Sequence, residues 1–444
     1  MRTRLERLAI PAAFLAFALA ARLLLAHAPA RLAVDLAQPL AVATNWGAYG
    51  AALLVVLIAG LATAGLAYAR TAESPAQPAR TAILCALALA AAFAAPVLFS
   101  SDVYAYAAYG ELARIGANAY APAPHLPGNA LLAAAAWQWS DALPVCVYGP
   151  AFVLAARTIV ELFAPLGALA QLDALRALAA GSLLLCIPLA YAAFPGDARA
   201  RMRAAATIGL NPAAIWCAAE GHNDALALAV VLAGFALVRR GLVSTGSAIA
   251  ALSALVKLPG AAAALAFAAV HPRARPGALA GAALAGAFSL PLAAGLFHGA
   301  AAHGTYAPQA SLQALVHAVA LFALHSAGPA TAVAVSAAVL AAAVVGAGGI
   351  ARIRRGGNDG WVRLGLAAWL LVPNPQPWYG VWLVALAALA PATRAATVAL
   401  LLSFTSLLRY APDAVATPVW PLAIAALGIA ATFPFAGLCY NERP

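Results

Sequence analysis

The sequence predicts an all-α polytopic integral membrane protein, with about 14 transmembrane helices and further short helices lying on the outer face. Three observations lead there. First, 65% of the 444 residues are hydrophobic and only 9% are charged, against roughly 25% charged in soluble domains. Second, apolar runs recur from end to end, each of about 20 residues and so long enough to cross ~30 Å of hydrocarbon. Third, 25 basic residues face 14 acidic ones, and the arginines gather in short loops, as cytoplasmic loops of membrane proteins do. The alternating ten-residue segments of a transmembrane β-barrel are not what these runs look like. The net charge of +11 is thus read as orienting charge, and no nucleic-acid partner is expected.

The elements follow in chain order. The start "MRTRLERLAIPAAFLAFALAARLLLAHAPA" has the basic head and apolar run of a signal peptide. The run is long and interrupted by Arg22, so an uncleaved first helix is expected. Basic loops at 1–7, 70–80, 195–203, 239–241, 271–275 and 351–355, with Arg394 and Arg443, are placed in the cytoplasm. Spans near 8–26, 46–69 and 81–99 then form an N-terminal part, residues 1–99, that delivers the chain to the outside. Residues 100–165 are expected as an outer loop with interfacial or re-entrant helices, since counting 146–165 as a span would put an arginine-rich loop outside. Residues 166–444 hold the remaining helices of a single membrane domain. Their spans are expected near 173–194, 204–218 and 224–238, in a hairpin over 242–270 turning at Lys257 and Pro259, and near 276–297, 328–350, 360–372, 378–391, 395–409 and 416–437. The stretch 313–326 is treated like 146–165. Both termini fall in the cytoplasm.

With this topology the outer face collects the chemically mixed segments, which is where function concentrates. They are the loop from Asp102 to Asp141, "AAEGHNDA" with Glu220, His222, Asn223 and Asp224, "HGAAAHGTYAPQ" with His298 and His303, and "NPQPWYGVW" with Gln376, Trp378 and Tyr379. The five cysteines at 85, 146, 186, 217 and 439 are scattered, with no zinc or disulfide pattern.

In order, "SSDVYAYAAYGELARIGANAY", "VYGPAF", "GLNPAAIWCAAEGHNDALALAVVLAG", "ALVKLPG" and "NPQPWYGVW" resemble the polyprenyl-phosphate-mannose-dependent α-1,6-mannosyltransferases of actinobacterial lipoglycan type, in the GT-C superfamily. The resemblance covers roughly residues 100–385. It implies a GT-C-type bundle in the bacterial inner membrane and an active site on the outer face. It implies inverting transfer of one sugar, mannose favoured, from a polyprenyl-phosphate donor to a glycolipid or polysaccharide acceptor. No cofactor and no metal site are expected.

The candidate residues can then be given roles. A sugar hydroxyl that attacks an anomeric carbon must lose a proton, and a carboxylate can take it. The lipid phosphate leaves as an anion, so a second carboxylate, needed in glycoside hydrolysis, is not required. In the resembled family the acid of the first outer segment is the proposed base, and Asp102 matches it; a plain helix cap is the other reading. Tyr106 and Tyr109 lie four and seven residues on, which at helical spacing shares its face. They serve as sugar-stacking rings or as an interfacial aromatic belt. Glu111 and Arg114 read as an i,i+3 ion pair. Glu220, His222, Asn223 and Asp224 are substrate or phosphate ligands, although capping explains Asn223 or Asp224.

Lys257 is the only lysine among 24 arginines and sits in an apolar stretch. A cation there costs roughly 2.5–3.5 kcal/mol on insertion scales and needs a partner. The donor phosphate is one, with His222 and Arg157 as helpers; snorkelling to the interface is the other reading. His298, His303, Gln376, Trp378 and Tyr379 are further substrate-binding candidates. A transporter or flippase for a lipid-linked sugar is the rival function, since it too uses membrane-embedded Lys and Asp. Transporters often carry internal repeats and midplane sites, whereas here no repeat is evident and the polar residues gather at one face.

Overall fold

The structure is a computed structural model, and it describes residues 2–27, 48–73, 77–124, 126, 128–138, 143–303, 308–410, 429 and 432–435. Among them all regular structure is helical. The chain divides into two compact units, residues 1–43 with 55–305, and residues 44–54 with 306–444. In chain order the helices are α1 (Arg2–Ala26), α2 (Ala48–Glu73), α3 (Pro78–Phe93), α4 (Asp102–Arg114), α5 (Ala130–Gln138), α6 (Pro150–Phe163), α7 (Ala168–Ala193), α8 (Ala198–Gly209), α9 (Pro212–Ala219), α10 (Asp224–Arg239), α11 (Val243–Leu252), α12 (Pro259–Val270), α13 (Arg275–Ser289) and α14 (Ala293–His303). The second unit adds α15 (Leu312–Leu324), α16 (Ala327–Arg354), α17 (Asp359–Leu370), α18 (Gly380–Ala387) and α19 (Arg394–Thr405).

The protein is a polytopic all-α membrane protein. Among the described residues five helices are long and apolar enough to cross a membrane: Leu8–Ala26, Gly50–Ala69, Ala168–Ala193, Pro272–Phe297 and Ala327–Arg354. The pair α9 and α10, bent by 118° at its break, makes a sixth if counted as one span. This does not support the expected count of about 14 crossings. Many stretches that read as spans fold as helices of only 10–17 residues, among them Pro78–Phe93, Pro259–Val270 and Pro377–Ala387. Each opens with a proline, which has no N–H to offer inside a helix and fits its first turn. Hydropathy counts apolar residues and does not register where a helix starts or stops. The expected span at 416–437 lies mostly outside the described residues. Large apolar side chains such as Leu19, Leu23 and Leu340 are exposed along the long helices, as lipid contact allows.

The two stretches assigned to the outer face are helices too short to cross alone. One is α15, with 13 residues. The other is α6, with 14 residues, which buries Phe152, Val153, Ala156 and Val160 on one face while Leu154 and Leu162 are exposed. That one-sided pattern suits a helix resting between core and lipid. In the first unit α11 and α13 approach through small residues: Gly277 packs on Ser244 and Gly281 on Ala248, the close backbone contact that favours helix pairs in lipid. In the second unit α16 buries Ala330, Ala334, Ala338 and Ala342 as one stripe at i,i+4 spacing. Its turn into α17 is closed by Arg352 Nε on Asp359 Oδ2 at 2.9 Å.

Candidate active site

Four segments of the first unit meet at one buried cluster: the start of α4, the residues before α6, the turn from α9 to α10, and the break before α12. Asp102 stands in the first turn of α4, where unpaired backbone N–H groups favour negative charge. One turn later Tyr106 donates its hydroxyl to Asp102 Oδ2 at 3.2 Å, as the i,i+4 spacing predicts. Tyr109 behaves differently: its hydroxyl donates to the Pro144 carbonyl at 2.9 Å. It anchors the segment leading to α6 and does not face the carboxylate.

That segment delivers Tyr148, a residue the sequence reading left out of its candidates. The Tyr120 hydroxyl donates to the Tyr148 carbonyl at 2.9 Å, and the Gly149 N–H donates to the Val256 carbonyl at 3.1 Å. A Cβ on Gly149 would collide with the Leu255 carbonyl group, so glycine is what lets Tyr148 come beside Lys257. The Tyr148 hydroxyl lies 3.5 Å from Asp102 Oδ2 and 3.3 Å from the Tyr106 hydroxyl. The Lys257 ammonium is 5.6 Å from the centroid of its ring, within cation–π range. One aromatic side chain therefore lies between the Asp102 carboxylate and the Lys257 ammonium. Its sequence signal was the Tyr-Gly-Pro of "VYGPAF", in which a glycine that permits close approach follows the ring.

The turn between α9 and α10 supplies the third group. Asn211 caps α9 by accepting from the Ala214 N–H at 3.0 Å, with Pro212 next. The helix ends at Ala219, and Gly221 takes a left-handed φ of 96°. A Cβ there would sit 2.9 Å from Val103 Cγ2, so the turn packs directly on α4. His222 then places Nδ1 3.4 Å from Asp102 Oδ2, with its side chain only 1% exposed. At that distance the contact is loose, as hydrogen bonds in substrate-free sites often are. Asp224 follows in the first turn of α10, a second carboxylate at a helix N-terminus. Its Oδ2 is 2.6 Å from Lys257 Nζ, whose side chain is 12% exposed. Lys257 lies between the 3₁₀ turn Ser253–Leu255 and α12, so the expected turn at Lys257 and Pro259 is present. Its ammonium is held by a carboxylate inside the protein, which is not the geometry of a snorkelling lysine.

Burial raises the Asp102 carboxyl, but the His222 hydrogen bond and charge, the Lys257 charge and the Tyr106 phenol outweigh it and hold Asp102 below the usual carboxylate range. The group is thus kept ionised in a nearly dry setting. Asn223, 2% exposed, stands at the N-cap of α10, but its side chain makes no capping bond, and among the described residues its amide nitrogen and oxygen find no hydrogen-bond partner. The cheap capping account of this residue therefore fails.

The other candidates fall elsewhere. Glu220 is buried, but its Oε1 accepts from the Leu98 N–H at 3.0 Å. Arg157 is not brought to the cluster: its side chain is 46% exposed, and its nearest acid is Glu161 at 3.8 Å on its own helix. Its register on α6 places it away from the buried stripe. Glu111 binds Arg114 at 2.6 and 2.8 Å and also accepts from Asn129 at 2.7 Å, which ties α4 to the start of α5. His298 and His303 are on α14, with side chains outside the described ones; His125, Asp141 and Tyr306 lie outside the described residues. Gln376, Trp378 and Tyr379 belong to the second unit, where Trp378 and Tyr379 pack edge to face at 6.1 Å. Among the described residues no group of three or more His, Cys, Asp or Glu side chains is placed to hold a metal ion.

Chemically, the cluster offers an ionised proton acceptor in Asp102, a cation in Lys257 that can offset a developing negative charge, and an unsatisfied amide in Asn223. Comparison with known proteins adds one finding: residues 12–273 match the family described as MptA_B family, Alpha-(1->6)-mannopyranosyltransferase, N-terminal domain. Neither the curated proteins nor the solved structures contain a match.

Proposed function

The chain belongs to the MptA_B family of α-(1→6)-mannopyranosyltransferases and is a glycosyltransferase, and on that footing we propose that it moves one mannose, with inversion, from a polyprenyl-phosphate donor to a glycolipid or polysaccharide acceptor at the outer face of a bacterial inner membrane. Membership in an enzyme family decides against the transporter reading. A GT-C-type arrangement with both termini cytoplasmic is part of the proposal.

In the reaction Asp102 takes the proton of an acceptor hydroxyl. The freed oxygen forms a bond to the anomeric carbon, and the bond from that carbon to the phosphate oxygen breaks. The electron pair leaves with the lipid phosphate. One displacement of this kind inverts the anomeric centre. Lys257 stabilises the departing phosphate, exchanging part of its pairing with Asp224 for the new anion. His222 orients Asp102, and Asn223 hydrogen-bonds sugar hydroxyls. The ring of Tyr148, with Tyr106 beside it, forms the wall against which the sugar lies. Tyr109 supports that wall. From the sequence alone, His298, His303, Gln376, Trp378 and Tyr379 are proposed as substrate-binding residues, with no place in this cluster assigned to them.

One observation carries this reading: Tyr148 touches Asp102 with its hydroxyl and faces Lys257 with its ring. The groups read as serving proton removal and phosphate departure thus both lie against one side chain. The test supplies purified protein with radiolabelled polyprenyl-phosphate mannose and a membrane glycolipid extract. Labelled glycolipid is the expected product. Transfer only from a nucleotide sugar would overturn the donor assignment.

A further inference from the structure

Arg176 is a buried cation that the reaction does not use. It lies on α7, one of the helices long enough to cross a membrane, and is 6% exposed. Its guanidinium donates to the Ala219 carbonyl at 2.8 Å, to Ala95 at 3.0 Å and to Phe93 at 3.2 Å, and NH1 reaches Asp173 at 3.0 Å. It also stacks on the Phe93 ring at 4.1 Å. Phe93 ends α3 and Ala219 ends α9. Their last carbonyls have no partner within the helix, and a cation at a helix C-terminus is favoured. One guanidinium therefore joins the ends of two helices, in the planar multi-donor manner that lysine cannot copy.

Both joined ends lead into the site. Seven residues past Ala95 stands Asp102, and three past Ala219 stands His222. Between them a second tie closes the gap, Glu220 Oε1 accepting from the Leu98 N–H. The 3.4 Å approach of His222 to Asp102 is made after both ties, by segments that have little other freedom. We infer that Arg176 and Glu220 are positioning residues that brace the two entry segments of the active site and so set the distance between His222 and Asp102. The inference rests on the reading of Asp102 as the base.

The test compares purified full-length Arg176→Lys and Glu220→Met with Glu220→Gln, which keeps an oxygen for Leu98. The readouts are kcat, the KM for the lipid donor, and the acid limb of the pH profile. Asp102 is faced by Tyr106 from its own helix, by Tyr148 from the α6 side, by His222 from the α10 turn, and by the charge of Lys257 with its partner Asp224. Of these, the His222 contact is the one made between the two braced segments. Arg176→Lys and Glu220→Met should lower kcat by about 10- to 100-fold, the cost of sub-ångström misplacement, with donor KM unchanged. Their acid limb should move to higher pH, because Asp102 loses a stabilising neighbour. Glu220→Gln should retain the parent profile. A variant that merely folds less well scales the rate at every pH and leaves the limb in place. An unmoved limb in either Arg176→Lys or Glu220→Met overturns the inference. Asp102→Asn is measured alongside: if it stays active, the base assignment itself fails, and that outcome is distinct from an unmoved limb beside an inactive Asp102→Asn.

Discussion

Lys257 Nζ lies 2.6 Å from Asp224 Oδ2, so the only lysine of the chain is neutralised within the site before any donor arrives. That pairing changes what removal of the charge should do. On sequence grounds Lys257→Met merely removes a costly cation from an apolar stretch. In the structure it takes away the cation that faces the buried Asp224 carboxylate at 2.6 Å, and breaking one side of a buried pair costs about 3–5 kcal/mol. Lys257→Met is therefore expected to reduce abundance, whereas Lys257→Met combined with Asp224→Asn restores it. Neither variant should bind the lipid donor well. Donor affinity and membrane abundance, measured on both, decide the matter. Tight donor binding by the double variant would remove Lys257 from the phosphate site.

Tyr148 is expected to contribute in two separable ways. Tyr148→Phe keeps the ring beside Lys257 and deletes the hydroxyl near Asp102 and Tyr106. Leaving buried partners short of one hydrogen bond costs about 1–3 kcal/mol, so the initial rate should fall by roughly one to two orders of magnitude, with donor affinity preserved. Tyr148→Ala should weaken donor affinity as well. Equal effects of the two substitutions on both quantities would contradict the assignment of the ring to the sugar wall.

Orientation can be read by labelling. A cysteine replacing Asn118 should react with an impermeant thiol reagent from outside, and one replacing Ala198 should not. The four described native cysteines, Cys85, Cys146, Cys186 and Cys217, are buried. Outside labelling at position 198 would turn α6 into a crossing and reverse the helices after it.

The sequence singled out residues that come together in the structure better than it counted the spans. Asp102, His222, Asp224 and Lys257 stood out because a polar or charged group in an apolar run demands a reason, and the structure brings all four together. Tyr106 was legible from its i,i+4 spacing. Tyr148 was not, because a tyrosine at a membrane boundary looks like any belt residue until a long-range contact places it beside Lys257. The same limit misplaced Tyr109, which shares helical register with Asp102 but finds the Pro144 carbonyl first. Arg157 drew notice as a charge in an apolar stretch, yet one-sided burial of α6 turns it outward. Arg176 was overlooked, since its value lies in joining carbonyls that are far apart in the chain. Span counting failed where apolar runs fold as helices of 10–17 residues, since hydropathy does not register where a helix starts or stops.

The central claim is that Asp102 is the base. Its neighbours hold it below the ordinary carboxylate range, so it stays ionised through neutral pH and its contribution is lost only as pH falls through that depressed value. The most direct measurement is the single-turnover transfer rate of purified Asp102→Asn, which keeps the shape of the side chain and deletes the proton acceptor. The rate should fall by at least about 10²-fold, the lower end of what general-base catalysis supplies, with near-normal abundance and donor affinity. Retention of most of the parent rate would contradict the account and move the base elsewhere, with Asp224 the next carboxylate in the cluster.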